Sequence, residues 1–479
     1  MRNKSLTVNA FLNLIKTMCS VLFPLITFPY ISRILGVNNL GIFNFSSSII
    51  SYFMLIAGLG INTYAIREGA KIRDEREKLS EFSSEVFTIN FISTIISYLL
   101  LFFCLSLFDK LKMNYIIITI LSLSILFTTI GCEWIYNIFE DFKYITLRSV
   151  LFQIISLIML FLFVKKKDDL LVYTVITVIA SSGANIVNMI TRRKYVDIKF
   201  RFSKKMWCHL IPVLILFANS VATTVYINSD ITILGIISGD YYTGLYSVST
   251  KVYTLVKTMI GSIIIVSIPR LAAYIGNKKI NEYQVNGNKI FNTIVTFCVP
   301  AMIGVFCLSK EIIMILSGAE FVNASVSLKI LSFSLICSIV SWYYTSCVLI
   351  PFNKEKIVLF ATTCAAIINV VLNIILIPFF NINAAAFTTM IAELTSAIIC
   401  FYFGREYFIL KIKFQNISSI IIGTLGIMLV CYLMKIFFVS DIIIIISSVI
   451  ISLIVYFFIL LLLKNDALTI ARGFLVKNK

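Results

Sequence analysis

Fourteen apolar runs, each close to or above the roughly 20 residues that a membrane-spanning helix needs, occupy most of the chain. Apolar residues follow one another continuously within the runs instead of alternating with polar ones. This favours helices over a closed β-barrel, the only other fold that satisfies backbone polar groups in lipid. The runs predict an all-α integral membrane protein of about fourteen transmembrane helices. We number them as spans 1 to 14: they cover residues 8–33, 41–66, 84–108, 114–139, 147–164, 170–191, 208–236, 241–269, 287–309, 325–351, 356–378, 384–404, 416–437 and 442–463.

The composition agrees with this interpretation. Hydrophobic residues make up 59% of the chain and charged residues 13%, against roughly 45–50% and about 25% in soluble domains. The connections between spans are about 17 residues at most, so no soluble domain of ordinary size interrupts the bundle. Span 1 is longer than the apolar core of a cleaved signal peptide, which predicts a retained helix. Function must therefore reside within the bundle or at its rims.

The basic residues are distributed very unevenly between the two sides of the predicted membrane. With the N-terminus inside, 29 of the 41 lysines and arginines fall on the cytoplasmic side and 7 on the outer side. This bias is a strong positive-inside signal and places both termini in the cytoplasm. The net charge of +18 therefore reflects topology, and nucleic-acid binding is not expected. The basic stretch RRKYVDIKFRFSKK (192–205) is expected to lie against anionic lipid headgroups.

Catalytic and metal-binding patterns are missing from the sequence. The eleven cysteines are scattered singly, as expected of small core residues, and His209 is the single histidine. One histidine cannot form a histidine cluster for a metal, and an interfacial structural role is expected of it. The sequence has neither a nucleophile elbow nor a Walker A motif. We therefore predict a protein that is not an enzyme, with no catalytic residue, metal or cofactor, and without ATP bound to this chain as an energy source.

Two pairs of matching residues indicate an internal duplication. Leu35-Gly36 matches Leu234-Gly235 at an offset of 199 residues, and Gly41 matches Gly244 at an offset of 203. Since six helices are an even number, the second copy enters the membrane from the same side as the first, which predicts parallel repeats. The predicted domains are an N-lobe (1–191), a cytoplasmic basic linker (192–207), a C-lobe (208–404), and spans 13 and 14 with a cytoplasmic tail (405–479).

Spans 1, 2, 7 and 8 carry polar side chains spaced three or four residues apart, which places them on one face of each helix. Ser, Thr and Asn side chains also bond helices to each other in membranes, so a purely structural role remains open. The alternative is a polar cavity between the lobes, to which these four helices contribute. Its candidate substrate-binding residues are Lys16, Ser20, Asn44, Ser48, Asn219, Thr223, Tyr226, Asp230, Lys251 and Thr254.

Charged residues deep within the spans give the strongest indication of a cavity. A charge at the centre of a spanning helix costs roughly 2.5 to 3.5 kcal/mol and is usually retained only at a wet cavity or in a charge pair. Lys257 and Glu393 are expected to be members of buried pairs. Lys329 and Lys435 lie near helix ends and are expected to extend to the headgroups. Glu133 lies beside Trp134 near the inner end of span 4, where both interfacial and cavity-facing roles are open.

Several stretches resemble a known family. They are PYISRILGVNNLGIFNFSSS (29–48), WIYNIFEDFKYITLRS (134–149), FLFVKKKDD (161–169), DITILG (230–235), GLYSVSTKVY (244–253), CVLIPFNKEK (347–356), NVVLNIILIPFF (369–380) and AAAFTTMIAE (384–393). In these stretches the chain is similar to the Wzx-type polysaccharide flippases of the MATE-like, or MOP, transporter superfamily. The block at 134–149 is the most specific part of the resemblance.

The resemblance implies two six-helix lobes that form a V around a central cavity, with two appended helices. It also implies export of an undecaprenyl-pyrophosphate-linked oligosaccharide across the bacterial inner membrane, for O-antigen, capsule or another surface polysaccharide. Expected partners are that lipid-linked oligosaccharide, membrane lipids, and a polysaccharide polymerase with its chain-length regulator. Since carboxylates in membrane interiors often form ion relays, Asp230 or Glu393 is a candidate for exchanging H+ or Na+ during transport.

Three other functions are considered. A MATE-type cation-coupled drug antiporter shares the fold, but the deep charges here have a slight positive excess, which suits a pyrophosphate better. A lipid II-type flippase is a further alternative within the same superfamily. A membrane glycosyltransferase or polymerase usually needs a sizeable loop with paired carboxylates, and no connection in this chain is long enough.

Overall fold

The computed structural model describes residues 6–203, 206–411 and 413–466, with the side chains of residues 6–22 and of Asn219 outside the description. The described chain consists of helices joined by short turns and contains no strand, which confirms the all-α class. Its α-helices are α1 Leu6–Gly58, α2 Ile61–Lys71, α3 Arg76–Leu107, α4 Asp109–Met113, α5 Tyr115–Gly131, α6 Glu133–Ile138, α7 Phe142–Phe163, α8 Leu170–Thr191, α9 Met206–Ile237, α10 Asp240–Gly276, α11 Ile280–Ser317, α12 Ala324–Tyr343, α13 Glu355–Gly404, α14 Phe414–Phe437 and α15 Asp441–Leu462.

Within the described residues, eleven helices are long and apolar enough to cross a membrane. Two of them, α1 and α13, each contain two predicted spans, since the backbone leaves the helical conformation at Gly36 (φ 73°) and at Asn381 (φ 48°). The shorter apolar helix α5, with 17 residues, forms most of span 4. The fourteen predicted spans are therefore all present as helix.

The helices differ from the spans in where they begin, end and break. Helix α3 begins at Arg76, before the apolar run at residue 84, and α10 continues to Gly276, past the run that ends at 269. Apolar runs mark only the part of a helix that contacts lipid, so polar helix ends go undetected. Spans 2 and 4 are also interrupted, at Leu59 and Gly60 (φ 45° and 75°) and at Cys132 (φ 46°).

The chain divides into two compact units, Met1–Gly244 and Leu245–Lys479. By its contacts α9 belongs to the first unit, although the repeat assigns span 7 to the second copy. The two divisions answer different questions, since one follows contacts and the other follows duplication of the sequence. The predicted lobe boundaries therefore stay a prediction.

A close backbone contact within the first unit relates the two copies of the repeat. A Cβ atom on Gly41 would lie 1.8 Å from the carbonyl oxygen of Asp240, and one on Gly244 would lie 2.0 Å from that of Val37. The same 203 residues separate Gly41 from Gly244 and Val37 from Asp240. The contact is therefore reciprocal, as expected for two copies of one motif that pack against each other, and neither position has room for a side chain.

An extended segment docks along a helix in the first unit, and we call residues 197–201 the first strap. The backbone N–H groups of every second strap residue donate to hydroxyls spaced four residues apart on α3. Two extended residues advance about 6.6 Å and four helical residues about 6.0 Å, so the two spacings nearly match. The bonds are Asp197 N to Ser80 Oγ (3.2 Å), Lys199 N to Ser84 Oγ (3.1 Å) and Arg201 N to Thr88 Oγ1 (3.0 Å).

The second unit has the same arrangement, and we call residues 407–411 the second strap. It docks on Gln284, Asn288 and Asn292 of α11, each of which lies 204 residues after its counterpart on α3. The N–H groups of Ile409 and Lys411 donate to the side-chain oxygens of Gln284 (3.1 Å) and Asn288 (2.6 Å). The three side-chain amides in turn donate to strap carbonyls at 2.9, 3.0 and 3.2 Å. The duplication thus extends to the segments that follow spans 6 and 12.

The first strap also bears on the prediction for the basic stretch 192–205. Its charged side chains remain exposed, and two of them pair with the helix beneath: Arg76 with Asp197 at 3.2 Å and Arg201 with Glu81 at 2.7 Å. Tyr195, just before the strap, donates to Asp141 Oδ2 at 2.5 Å. Burial and that carboxylate raise the pKa of Tyr195, so the hydroxyl stays protonated and continues to donate. Contact with headgroups stays a prediction for the exposed cations.

Candidate functional site

The polar face of span 2 contacts α9 within the first unit. On α9, Thr232 Oγ1 lies 3.0 Å from Ser48 Oγ and 3.3 Å from the hydroxyl oxygen of Tyr52, both on α1 and both at hydrogen-bonding distance. Ser48 is buried and also donates to the carbonyl of Phe45 at 2.7 Å. Asp230 lies nearby on α9 and is 8% exposed. These contacts show that the polar residues bond α1 to α9, so at Ser48 the helix-bonding role is present.

The remaining candidates of the first unit differ in exposure. The side chain of Asn44 is half-buried and donates to the carbonyl of Leu40 on its own helix at 2.7 Å. On α9, Thr223 is exposed and Tyr226 half-buried. The side chains of Lys16, Ser20 and Asn219 lie outside the described part of the chain.

In the second unit, α10 carries the candidates Lys251 and Thr254. Lys251 is half-buried and Thr254 exposed. The carbonyl of Thr254 accepts from the hydroxyl of Thr258 at 2.7 Å, so the polar face continues along the helix.

Lys257 and Glu393 form an ion pair between α10 and α13. Lys257 Nζ lies 2.7 Å from Glu393 Oε1, which also accepts from the hydroxyl of Tyr253 at 3.1 Å. Glu393 is almost fully buried and Lys257 about three-quarters buried. The expectation that these residues belong to a buried pair is confirmed. Its consequence for ion exchange is that any ion at Glu393 has to compete with the Lys257 ammonium.

Lys435 has a partner within the protein that the sequence analysis did not predict. Its ammonium lies 2.8 Å from Glu311 Oε1 and donates to the carbonyl of Cys307 at 2.7 Å. Contact with the headgroups stays a prediction. Glu311 is buried on the neighbouring α11, and an unpaired buried carboxylate is costly, so the lysine turns inward to neutralise it.

His209 anchors the start of α9 to two helices of the same unit. Its Nδ1 lies 2.7 Å from the Tyr64 hydroxyl and its Nε2 lies 3.0 Å from Glu85 Oε2. Ser203 donates to the other oxygen of Glu85 at 2.5 Å. The histidine thus has the structural role that the sequence predicted.

A cavity inside the first unit was missed by the sequence analysis. It has a volume of about 300 Å³ and lies where the interrupted spans 2 and 4 face α3 and α8. The sequence signals that could have revealed it are Gly58 and Gly60 in span 2, because paired glycines interrupt a helix. Its polar lining consists of Asn62, Asn90, Thr128, Thr129, Glu133, Asn137 and Asn185.

Two backbone carbonyls beside the interruptions are bonded within the protein. The carbonyl of Ala57 accepts from Asn90 Nδ2 at 2.7 Å and from Ser93 Oγ at 2.6 Å. The carbonyl of Ile130 accepts from the Arg192 guanidinium at 2.8 Å. Gly131 lets α8 approach closely, since a Cβ there would lie 2.5 Å from that of Asn185.

Glu133 lies on the cavity wall and not simply at the membrane interface. Its Oε2 lies 3.2 Å from Arg148 Nη2, whose side chain is 5% exposed. Arg148 also donates to the side-chain oxygen of Asn188. Its guanidinium faces the rings of Tyr136 and Tyr144 at 5.9 and 5.4 Å from their centroids. The carboxylate charge is therefore balanced by an arginine that is itself fixed on several sides.

Residues 6–275 match the family model described as polysaccharide biosynthesis protein. A protein of Escherichia coli (strain K12), named as a proposed O-antigen transporter, is 24% identical over 53% of this chain and 61% of its own length. A protein of Shigella dysenteriae with the same name is 22% identical over 70% of this chain and 84% of its own length. The chain thus spans about six-tenths of the first relative.

Solved structures show the same fold. The structure of the lipid II flippase MurJ, in its inward closed conformation, superposes with a TM-score of 0.76 at 19% identity, covering 94% of this chain and 98% of that one. A multidrug resistance MATE family transporter of the MOP superfamily, in its inward-facing conformation, superposes with a TM-score of 0.63 at 14% identity, covering 83% and 97%. At these identities the likeness concerns the fold alone.

Proposed function

Because the chain belongs to the polysaccharide biosynthesis protein family, we propose that it is a flippase for a lipid-linked oligosaccharide. The substrate is an undecaprenyl-pyrophosphate-linked repeat unit that moves from the cytoplasmic to the outer leaflet of the bacterial inner membrane. The chain acts as a transporter and not as an enzyme. The polymer made from the exported units is a surface polysaccharide such as an O-antigen or a capsule.

The observation that carries this proposal is Lys251, a half-buried lysine within a helix that crosses the membrane. A lysine at that depth costs several kcal/mol unless it faces water or an opposite charge. A pyrophosphate supplies two linked phosphates with strong acceptor oxygens, to which an ammonium donates up to three hydrogen bonds. The repeat counterpart of Lys251 is the neutral Ser48, so the fold of this helix does not itself require the charge. We favour binding of the anionic lipid headgroup as its role; the alternative role is neutralisation of Asp230.

The transport cycle follows the alternating-access scheme. The substrate site opens first to one side and then to the other, and the helices of spans 1, 2, 7 and 8 line it. Asp230 or Glu393 exchanges H+ or Na+ as the site changes its exposure. The proposal for Glu393 requires that its pair with Lys257 opens during the cycle, whereas Asp230 lies in the other unit and is independent of that pair.

The test uses purified protein in lipid vesicles that contain a labelled undecaprenyl-pyrophosphate oligosaccharide, with appearance of the glycan on the far leaflet as the readout. We expect flipping by the wild type, partial flipping by Lys251→Arg and none by Lys251→Ala. Lys329→Ala is the matched control, since Lys329 is an exposed lysine on α12, and it should flip normally. Full activity of Lys251→Ala would contradict the role of Lys251, and absence of flipping by the wild type would contradict the proposed function.

The alternatives are separated by the substrate in the same vesicles. A drug antiporter would move organic cations against an imposed H+ or Na+ gradient and leave the lipid-linked glycan in place. A lipid II-type flippase would move lipid II in preference to the oligosaccharide lipid. If flipping by the wild type does not depend on an H+ or Na+ gradient, the coupling role of Asp230 and Glu393 is refuted and the rest of the proposal stands.

We also place both termini in the cytoplasm, on the basis of the positive-inside bias. The polysaccharide polymerase and its chain-length regulator are proposed partners, since they act on the exported unit.

A further inference from the structure

The block 134–149, which carries the most specific part of the family resemblance, has no role in the proposed headgroup binding. In the structure this block builds one side of the cavity inside the first unit. Trp134 and Asn137 line the cavity directly. Arg148, at the other end of the block, holds the Glu133 carboxylate. A ligand in the cavity gives residues 134–149 a function.

The position of the cavity supports a binding role. It lies where two predicted spans are interrupted toward their inner ends, and interrupted helices in transporters are found where they line a substrate or ion site. The interruptions are sustained by residues in strained conformations, since Leu59 and Cys132 have φ values of 45° and 46°. Such conformations persist only where the surrounding structure enforces them, and they cluster at binding sites.

Part of the polar lining is not used by the protein itself. Within the described chain, the amide of Asn62 and the hydroxyl of Thr128 make no hydrogen bond to protein, and both side chains are exposed where they line the cavity. Asn137 uses its Nδ2 to donate to the Glu133 carbonyl at 3.3 Å, and its other polar atom, Oδ1, is an acceptor. The cavity therefore presents both donors and acceptors to a ligand.

The charges indicate which ligand fits. Since Arg148 neutralises Glu133, the lining has no net charge with which to hold a bare cation or an anion. Side-chain amides donate and accept, as do the hydroxyls of a sugar, and the Trp134 ring adds an apolar wall. A volume of about 300 Å³ is at the lower end of small-molecule sites, which suits one sugar ring and excludes a whole oligosaccharide.

We propose that this cavity binds a single uncharged sugar residue of the lipid-linked substrate. The inference rests on the proposed function for the source of that sugar, while the recognition chemistry belongs to the cavity alone. The cavity then selects for the glycan and not for the pyrophosphate that all such lipids share.

Trp134 provides a reporter for the test. The chain has three tryptophans, so Trp207→Phe with Trp342→Phe leaves Trp134 as the single emitter. The purified protein is titrated with undecaprenyl pyrophosphate that bears one neutral hexose, with the same lipid without sugar, and with free hexose. We expect a saturable change in Trp134 emission with the sugar-bearing lipid, a weaker one with free hexose and none with the sugarless lipid. A response to the sugarless lipid as large as that to the sugar-bearing lipid would overturn the proposal.

Matched variants separate recognition from folding. Loss of one hydrogen bond to the ligand should weaken binding by up to about tenfold, so Thr128→Val and Asn62→Leu should each raise the apparent Kd by several-fold. Thr119→Val is the control, because Thr119 is also exposed on α5 and does not line the cavity; its Kd should be unchanged. Equal effects of Thr119→Val and Thr128→Val would contradict the proposal.

A second measurement uses no tryptophan variant, so it still tests the proposal if Trp207→Phe or Trp342→Phe prevents folding. Thr128→Cys in a background without other cysteines should react with a small hydrophilic thiol reagent, and the sugar-bearing lipid should slow that reaction. Protection by Na+ in place of sugar would show a cation site and overturn the proposal.

The two proposals can fail separately. If the wild type flips the lipid-linked oligosaccharide while sugar changes neither the Trp134 emission nor the thiol labelling of Thr128→Cys, the further inference fails and the proposed function stands. A sugar response in a protein that flips nothing supports the sugar site and refutes the flippase.

Discussion

Replacing Gly41 or Gly244 by alanine tests whether the two copies of the repeat pack backbone to backbone. The added Cβ would lie 1.8 Å or 2.0 Å from a carbonyl oxygen. The backbone turns at 37–41 and 240–244 would therefore have to separate by roughly 1.5 Å to reach ordinary contact. The obstacle is a main-chain atom, which cannot move away by changing rotamer. Overpacking of this kind costs typically 1–3 kcal/mol, against a gain of about 1 kcal/mol from the higher helix propensity of alanine.

Since a main-chain atom cannot yield, the cost lies in the upper part of that range, about 2 to 3 kcal/mol. We therefore expect Gly41→Ala and Gly244→Ala each to lower the free energy of unfolding by about 1 to 2 kcal/mol. Because the two contacts are reciprocal, the losses should be similar in size. The double variant should lose less than their sum, since the first substitution already separates the turns. The assay is unfolding of the detergent-solubilised protein, followed by far-UV circular dichroism at equal detergent concentration.

Gly304→Ala is the matched control, because Gly304 lies within α11 and a Cβ there would meet nothing within 4 Å. It should stabilise the protein by up to about 1 kcal/mol through helix propensity alone. The reasoning would be refuted if Gly41→Ala were as stable as the wild type. It would also be refuted if all three substitutions had the same sign and size, since only helix propensity would then be acting.

Three further predictions follow from the described contacts. Glu393→Gln or Lys257→Met alone should destabilise the protein by about 3 kcal/mol, because each leaves one buried charge without its partner. The double variant should recover most of that loss in unfolding measurements. A double variant that loses the sum of the two single losses would contradict the pairing. Single cysteines in a cysteine-free background should react with hydrophilic thiol reagents when placed at Ser20, Ser48, Asn219 or Thr254. The cysteine at position 48 should react slowest, because Ser48 is buried. Protection of all four cysteines would count against a polar cavity. Ser84→Ala should remove the acceptor for the Lys199 N–H and lower the free energy of unfolding by about 1 kcal/mol. The amide hydrogen of Lys199 should then exchange faster than in the wild type. Unchanged exchange there would show that the first strap does not depend on α3.

The spans and their number were predictable because the part of a helix that contacts lipid must be apolar. The breaks at Leu59 and Cys132 were not predictable from apolar runs, since isolated backbone changes leave hydropathy unaltered. Among charged residues, the depth of Lys257 and Glu393 indicated that each could belong to a buried pair, but that they pair with each other is known only from the structure. The partner of Lys435 did not follow from the sequence, because it depends on how α14 packs against α11.

The candidate site divides in the same way. Repeat offsets and helical periodicity identified the polar faces on α1, α9 and α10, which are local properties of single helices. The cavity next to Glu133 depends on four spans that meet in space, and spans 2, 3 and 6 each contribute a single ordinary polar residue, Asn62, Asn90 and Asn185. No spacing along the chain marks such a site.

The straps impose a rule on how the length of this protein can vary. Each strap meets its helix with every second backbone N–H, so losing one residue within 197–201 would place carbonyls where N–H groups are needed and turn exposed cations toward α3. Losing two residues would restore the pattern one helical turn further along. The same holds for 407–411 on α11. Insertions and deletions in these connections should therefore be tolerated when they change the length by two residues, although both segments look like unconstrained loops in the sequence.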